Sequence, residues 1–238
     1  MLKNRLVPLL LFGLLVGCGG GGGGGGGGST APVSVPLLNS QAGLVNNGFS
    51  ANFTLSGGIG NTNITATGSG TVTDAKAIAA TLNGTSVLQT NETITGTLTA
   101  NGNNADLGQT TVYYRNPSTY ALVAEDTSVA HIVFPPYQYP QTVTVGDKGS
   151  LATADVFSTD KTTKLGTLAL SYSVAADSAT SLLVTFTGDE FNSGNSKCDT
   201  VNNTFRVGTD GSSKLVSHQE TAYAACTDTP FSLTFTFQ

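Results

Sequence analysis

Hydrophobic and polar residues alternate with a period of two along most of the chain after residue 48. The C-terminal run 231–237 reads FSLTFTF, and the runs 168–174 and 182–187 repeat the pattern with Leu, Val, Tyr and Phe against Ser, Thr and Ala. A period of two with a hydroxyl-bearing face is typical of antiparallel strands that bury one side. The body of the chain is therefore predicted to be a succession of half-buried strands.

Turn signals separate these runs at hairpin spacing. They include Asn83-Gly84, Asn101-Gly102 and Asp210-Gly211, dipeptides that favour tight connections between antiparallel strands. No run predicts a long helix, and 74–80 reads either as one helical turn or as a strand edge. The pattern predicts an all-β fold: an antiparallel meander of about ten to twelve strands, forming a sandwich or an open, strongly curved half-barrel.

The N-terminus has a different character. Met1 to Arg5 contains two basic residues and no acid, and residues 6–16 are almost wholly apolar. A basic start followed by an apolar run of this size is typical of a secretory signal peptide, and the run is shorter than the roughly 20 residues that span a bilayer. Residues 1–17 are therefore predicted to be a signal peptide.

The signal region ends in Leu15-Val16-Gly17-Cys18. This sequence resembles the lipobox of bacterial lipoproteins. The resemblance implies cleavage before Cys18, diacylation of its thiol and usually a third acyl chain on the new amino terminus. Two or more chains give a lasting membrane anchor, whereas one gives only reversible binding. Gly19 is not the Asp that retains such proteins at the inner membrane, so the resemblance points to the outer membrane.

Ten glycines follow, at 19–28, and no side chain in this tract can bury surface. A segment of this composition is expected to act as a flexible linker, with a root-mean-square reach of roughly 20–25 Å from Cys18 to Pro36. The tract follows no strand and contains no Lys, which excludes a phosphate-binding loop. The chain resembles Thr-rich lipoproteins that carry a polyglycine tether.

The predicted organisation is a signal peptide (1–17), a lipidated Cys18 with its linker (18–36) and one β domain (37–238). A division of the β domain near 127–142 is the alternative to one continuous sheet, because the segment 135–140 (PPYQYP) interrupts any strand. The tyrosines of that segment are predicted either to cover a sheet edge or to anchor an exposed recognition loop.

Charge and cysteine content narrow the function classes. After residue 17 the chain has eight basic and fifteen acidic residues, a net charge of −7, which argues against nucleic acid as a partner.

Cys198 and Cys226 are the two cysteines that remain once Cys18 is assigned to the lipid anchor. In an oxidising compartment such a pair is predicted to form a disulfide, closing a loop of about 29 residues and stabilising the fold by roughly 3–4 kcal/mol.

No constellation of acid, base and nucleophile can be assembled from the sequence. His131 and His218 each lie on a predicted strand without a nearby Ser or Cys in a recognisable frame. The acidic loop 188–195 contains several oxygen donors, but Phe191 occupies a position where an EF-hand requires a ligand, which leaves a solvated hairpin tip or a weak Ca²⁺ site. The sequence predicts no catalytic residue, no metal site and no cofactor.

The resulting hypothesis is a lipid-anchored envelope protein at the outer membrane, with a non-enzymatic binding or structural module that contacts an envelope or extracellular partner. The alternative is a carrier in which a curved β half-barrel holds a lipid or another apolar ligand. An accessible apolar concavity would favour the carrier, whereas a filled core with a polar surface would favour the binding module.

Overall fold

The computed structural model describes residues 32–60, 64–227 and 229–238. The predicted signal peptide, Cys18 and the glycine tract lie outside these residues. The described chain forms one helix and fifteen strands: β1 (Ser34–Val35), α1 (Leu37–Asn47), β2 (Phe49–Ile59), β3 (Ile64–Asp74), β4 (Ile78–Leu82), β5 (Thr85–Ala100), β6 (Asn103–Arg115), β7 (Leu122–Asp126), β8 (His131–Val133), β9 (Val143–Thr144), β10 (Lys148–Phe157), β11 (Lys164–Ala176), β12 (Ser181–Asn192), β13 (Lys197–Gly208), β14 (Ser213–Ala222) and β15 (Phe231–Phe237).

Twelve of these described strands form a closed antiparallel barrel. Each strand pairs with its neighbour in the order β2, β15, β14, β13, β12, β11, β10, β8, β7, β6, β5 and β3, and β3 returns to β2. The all-β antiparallel prediction is confirmed. The predicted sandwich or open half-barrel is wrong, because β3 pairs with β5 as well as with β2 and so closes the ring. The extra strand β4 extends β5 beyond the ring.

Glycines allow the closing strands to approach one another. Gly70 of β3 lies opposite Gly96 of β5, and a Cβ atom on Gly70 would lie 2.1 Å from the Thr95 carbonyl oxygen and 2.6 Å from the Phe53 ring. No side chain fits at such distances. The small residues at this seam therefore permit both the strand pairing and the packing of Phe53 against it.

The two faces of the wall differ in chemistry. Inward positions carry a continuous apolar core that includes Phe53, Leu168, Phe205 and Phe235. Outward positions carry mostly Thr, Ser and Asn, which hydrogen-bond across strands, as in Thr185 with Thr204 at 2.9 Å. The period of two in the sequence thus separates an apolar interior from a hydroxyl-rich exterior.

One helix that the sequence did not predict lies at the end of the barrel where β2 begins and β3 ends. Helix α1 buries residues at the i, i+3, i+4, i+7 spacing of an amphipathic helix, Leu37, Ser40, Gln41, Leu44 and Val45. It stops at Gly48, whose φ of 67° no branched side chain adopts readily. Two of the five buried positions are polar, which weakened the apolar signal in the sequence.

This end of the barrel is called the helix end, and the opposite end, near Cys198 and Cys226, the disulfide end. Strand β1 pairs with β9 at the helix end, and the segment between β8 and β9 packs there as well. Residues 127–142 include β8, a strand of the same barrel. Residues 74–80 contain the end of β3 and the start of β4 rather than a helical turn.

No helix in the described part of the chain is both long and apolar enough to cross a bilayer.

Candidate functional site in the barrel lumen

The barrel interior contains charged and polar side chains among its apolar ones. Five acids, one arginine and one histidine are buried on inward-facing positions: Asp74, Glu92, Glu125, Asp199, Glu220, Arg115 and His218. Charged residues are almost never fully buried without a partner, so these positions are the strongest candidates for function.

The first group, called the arginine cluster, consists of Asp74, Glu92, Tyr113, Arg115 and Glu125. The strand register brings it together: Asp74 lies opposite Glu92 across β3 and β5, and Tyr113 lies opposite Glu125 across β6 and β7. The Arg115 guanidinium carbon lies 5.2 Å from the centre of the Tyr113 ring, and the Tyr113 hydroxyl donates to Glu92 Oε1 at 3.3 Å.

Burial and the guanidinium act on these acids in opposite directions. Burial raises the pKa of Asp74 to about 6 and that of Glu125 to about 8, although the positive charge of Arg115 lowers both. Burial, and then the charges of Asp74 and Glu125, raise the pKa of Glu92 well above its usual range. At neutral pH one carboxylate, that of Asp74, therefore balances the arginine while the other two acids keep their protons.

Several atoms of the arginine cluster have no hydrogen-bond partner among the described residues. They include Arg115 Nε and Nη2, Asp74 Oδ1, Glu92 Oε2 and both carboxyl oxygens of Glu125. Arg115 is only 1% exposed, and an unsatisfied buried charged group is expensive. The cluster thus offers unused donors beside unused acceptors within the lumen.

The second group, called the histidine cluster, consists of Glu190, Asp199, His218 and Glu220. Glu190 lies opposite Asp199 across β12 and β13, and Glu220 lies two positions from His218 on the same face of β14. His218 Nδ1 lies 2.7 Å from Asn203 Oδ1, and its Nε2 lies 3.9 Å from Glu220 Oε2. In the neutral ring Nδ1 donates to the amide oxygen, so Nε2 carries the lone pair.

Burial shifts the ionisable groups of the histidine cluster toward their neutral forms. Burial lowers the pKa of His218 to about 3. Burial and the neighbouring Asp199 raise the pKa of Glu220 well above its usual range, and burial and Glu190 raise that of Asp199. No basic residue contributes to either carboxyl shift, in contrast to the arginine cluster.

In the histidine cluster a Glu220 carboxyl oxygen lies 3.9 Å from the imidazole Nε2, a separation longer than a direct hydrogen bond. Acyl transfer would need a nucleophile beside the imidazole, and none of the histidine contacts given above is with a Ser or Cys. Among the described residues, no group of three or more His, Cys, Asp or Glu side chains has the geometry to hold a metal ion.

The structure also places the histidines and cysteines that the sequence analysis considered. His131 is buried, and its Nδ1 lies 2.5 Å from Asp126 Oδ1, which ties β8 to the end of β7. His218 lies in the lumen as described. The pair Cys198–Cys226 forms the predicted disulfide, with Cα atoms 5.1 Å apart.

The acidic loop 188–195 does not converge on one point. Asp189 faces outward, paired with Lys197 at 2.7 Å, whereas Glu190 lies opposite the inward-facing Asp199. A shallow cleft of about 390 Å³ adjoins the loop and is lined by Lys164, Gly166, Thr167, Asn192, Ser193 and Asn195. Strand alternation separates the two carboxylates, so the loop is better described as a hairpin tip than as a Ca²⁺ site.

The segment 135–140 is not an exposed recognition loop. Tyr137 and Tyr139 are buried, and the Tyr137 hydroxyl accepts a hydrogen bond from the Leu122 amide at 3.1 Å. The rings of Tyr139 and Phe186 are 5.8 Å apart at their centres. The two tyrosines therefore close the lumen at the helix end, beside the arginine cluster.

Sequence reasoning missed both lumenal clusters. A signal was present in part, because His218 and Glu220 alternate on the same face as the apolar positions of β14. The ring-closing pairing of β3 with β5 brings Asp74 beside Glu92, whereas Glu190 and Asp199 face each other across the hairpin of β12 and β13. Comparison with protein-family models, with curated proteins and with solved structures gives no significant match.

Proposed function

We propose that the chain is a lipid-anchored protein of the bacterial outer membrane and that its barrel is a non-enzymatic binding module whose ligand lies at the arginine cluster. The lipobox-like sequence ending in Cys18 supports the anchor. The outer wall supports a tethered rather than an embedded barrel, because strands that face lipid carry apolar side chains outward, whereas Thr and Ser predominate on this exterior, for example along β2 and β3.

The observation that carries the binding site is the buried guanidinium with two nitrogen atoms, Nε and Nη2, that have no hydrogen-bond partner among the described residues. Unused oxygens of Asp74 and Glu125 belong to the same cluster as Arg115. A ligand that accepts hydrogen bonds from arginine and donates to a carboxyl group would satisfy both sets. Small amides and zwitterionic amines have this chemistry.

Three small probes test the site by their effect on the melting temperature. Glycine presents an acceptor and a donor, acetate presents only acceptors, and methylammonium presents only donors. We expect glycine to raise the melting temperature most, because a ligand that binds the folded state stabilises it, and we expect Arg115→Met to abolish the rise. Arg206→Met, which removes a surface guanidinium, should retain it. Equal effects of all three probes, or none, would contradict the site.

The anchor is tested separately. Cys18→Ala should abolish membrane fractionation and globomycin-sensitive processing, and persistence of both would contradict the lipobox interpretation.

The carrier alternative predicts a copurified lipid, which mass spectrometry of the purified protein would detect. The polar groups in the lumen argue against it, because an acyl chain beside them would leave them unpaired.

A further inference from the structure

The described chain begins at the helix end of the barrel. Residues 32 and 33 lead into β1, which pairs with β9, and the turn after β9 joins β10 at the same end. Pro32 is the fourteenth residue after Cys18. A Gly-rich chain of that length spans about 20 Å, so an anchored protein would keep its helix end near the lipid.

The basic residues differ between the two ends. At the disulfide end every lysine pairs with an aspartate: Lys161 with Asp126, Lys164 with Asp155 and Lys197 with Asp189. At the helix end Lys76, Lys148 and Lys214 have no ion pair within the described chain, and only Arg206 is paired, with Asp177. The lysines available to an outside partner are therefore concentrated at the helix end.

The surface charge follows the same division. The described surface of the helix end has four basic and three acidic residues, a net charge of +1: Lys76, Lys148, Arg206 and Lys214 against Asp147, Asp177 and Asp210. Leaving aside the half-buried Glu190 of the histidine cluster, the described surface of the disulfide end has three basic and five acidic residues, a net charge of −2: Lys161, Lys164 and Lys197 against Asp106, Asp126, Asp155, Asp160 and Asp189. An acidic protein thus presents its basic end on the side of the tether.

The three unpaired lysines are spread around the rim rather than collected on one side. Lys76 follows β3, Lys214 lies at the start of β14 and Lys148 at the start of β10, and several strands of the ring separate each from the next. The two most exposed large apolar side chains, Ile78 at 61% and Val145 at 51%, lie on the same rim. A rim of lysines interspersed with apolar side chains fits a flat surface of anionic headgroups.

We propose that the helix end of the barrel docks on anionic lipid headgroups of the bilayer that carries the acyl anchor. This inference rests on the lipid anchor proposed above. The barrel then has a preferred orientation, in which the disulfide end and its cleft face away from the membrane.

The chain contains no Trp, so single tryptophans can report contact with lipid. Ile78→Trp reports from the helix end, and Leu165→Trp, at a site that is 42% exposed, is the matched control at the disulfide end. Each full-length lipoprotein is reconstituted into vesicles of brominated phosphatidylglycerol. We expect severalfold more quenching at position 78 than at position 165, and equal quenching would overturn the docking.

Charge variants complete the test. Changing Lys76, Lys148 and Lys214 together to Gln should reduce quenching at position 78, since each lysine near an anionic surface strengthens binding about fivefold. The same change of Lys161, Lys164 and Lys197 should leave it unchanged. Equal quenching in brominated phosphatidylcholine would overturn the electrostatic basis of the docking.

Flotation of the protein with the vesicles is measured first. Protein that does not float with the vesicles contradicts the anchor and the docking together, whereas protein that floats without preferential quenching contradicts the docking alone.

Discussion

The two lumenal clusters bury acidic side chains in different electrostatic surroundings. The arginine cluster contains a permanent cation, and one of its acids, Asp74, has a pKa of about 6. The histidine cluster has no cation, because burial holds His218 neutral, and burial raises the pKa of Asp199 to about 7 and that of Glu220 well above its usual range. The Arg115 guanidinium thus lowers the pKa of Asp74 and Glu125 against the effect of burial, whereas no cation acts on Asp199 or Glu220. The arginine cluster therefore combines charge pairing with protonation, and the histidine cluster has no positive charge to pair with its acids.

Removing the cation should give the largest effect. Arg115→Met leaves Asp74 without its compensating charge, and breaking a buried ion pair from one side costs about 3–5 kcal/mol. We expect a loss of this size in the free energy of unfolding at pH 8, measured with urea. The loss should be smaller at pH 5, where Asp74 is protonated.

The matched control for this loss is Arg206→Met, which breaks a pair with Asp177 that is largely exposed on the arginine side. Surface pairs contribute below about 1 kcal/mol. Equal losses in the two variants, or an Arg115→Met loss that does not change with pH, would show that packing rather than charge explains the effect.

Only the histidine cluster lies next to the disulfide bond. Cys198 directly precedes Asp199, so the bond to Cys226 restrains the histidine cluster and not the arginine cluster. Reduction should lower the free energy of unfolding by about 3–4 kcal/mol in the chain-entropy model and should increase amide exchange at Val201 more than at Tyr113. The double variant Cys198→Ser, Cys226→Ser should not respond to reductant, and a wild-type protein with reactive thiols before reduction would contradict the bond.

The acids of both clusters predict stability that falls as pH rises. In the unfolded chain a carboxyl group ionises near pH 4, whereas in the barrel Asp74 keeps its proton until about pH 6 and Glu125 until about pH 8. Between these limits the folded state binds more protons, so the free energy of unfolding decreases with pH. Urea unfolding between pH 4.5 and 8.5 measures the slope.

Substitution then assigns this slope to particular residues. Asp199→Asn should reduce it, because burial raises the pKa of Asp199. Asp210→Asn is the control: hydrogen bonds from Ser212 lower the pKa of Asp210, so that residue is ionised in both states throughout the window. A stability that rises with pH across the same range would contradict the protonated interior.

The sequence predicted the individual strands better than it predicted that the sheet closes into a barrel. Alternation in runs such as 231–237 depends only on neighbouring residues, and the strands appear where it occurs. The ring depends on the pairing of β3 with β5 and on the glycines that permit it, such as Gly70 and Gly96, and alternation within a single strand carries no information about such a pairing. Helix α1 was not predicted, because the polar residues Ser40 and Gln41 occupy two of its buried positions.

The same reason explains why the disulfide was predictable and the lumenal clusters were not. The two cysteines other than Cys18 leave a single pairing, and the structure confirms it. Asp74, Glu92 and Glu125 are ordinary acids in sequence, and their proximity follows from strand register around a closed ring. A charged residue at an inward position of an alternating strand was the one available signal.

The smallest expected effect concerns His218. Because burial lowers its pKa to about 3, its ring carbon-bound protons should show no change in NMR chemical shift between pH 5 and 8. Nδ1 should carry the proton toward Asn203, as the 2.7 Å separation requires. Glu220→Gln keeps a donor beside Nε2 and should leave the histidine neutral. A His218 resonance that titrates near pH 6.5 would place a cation in the second cluster and remove the contrast with the first.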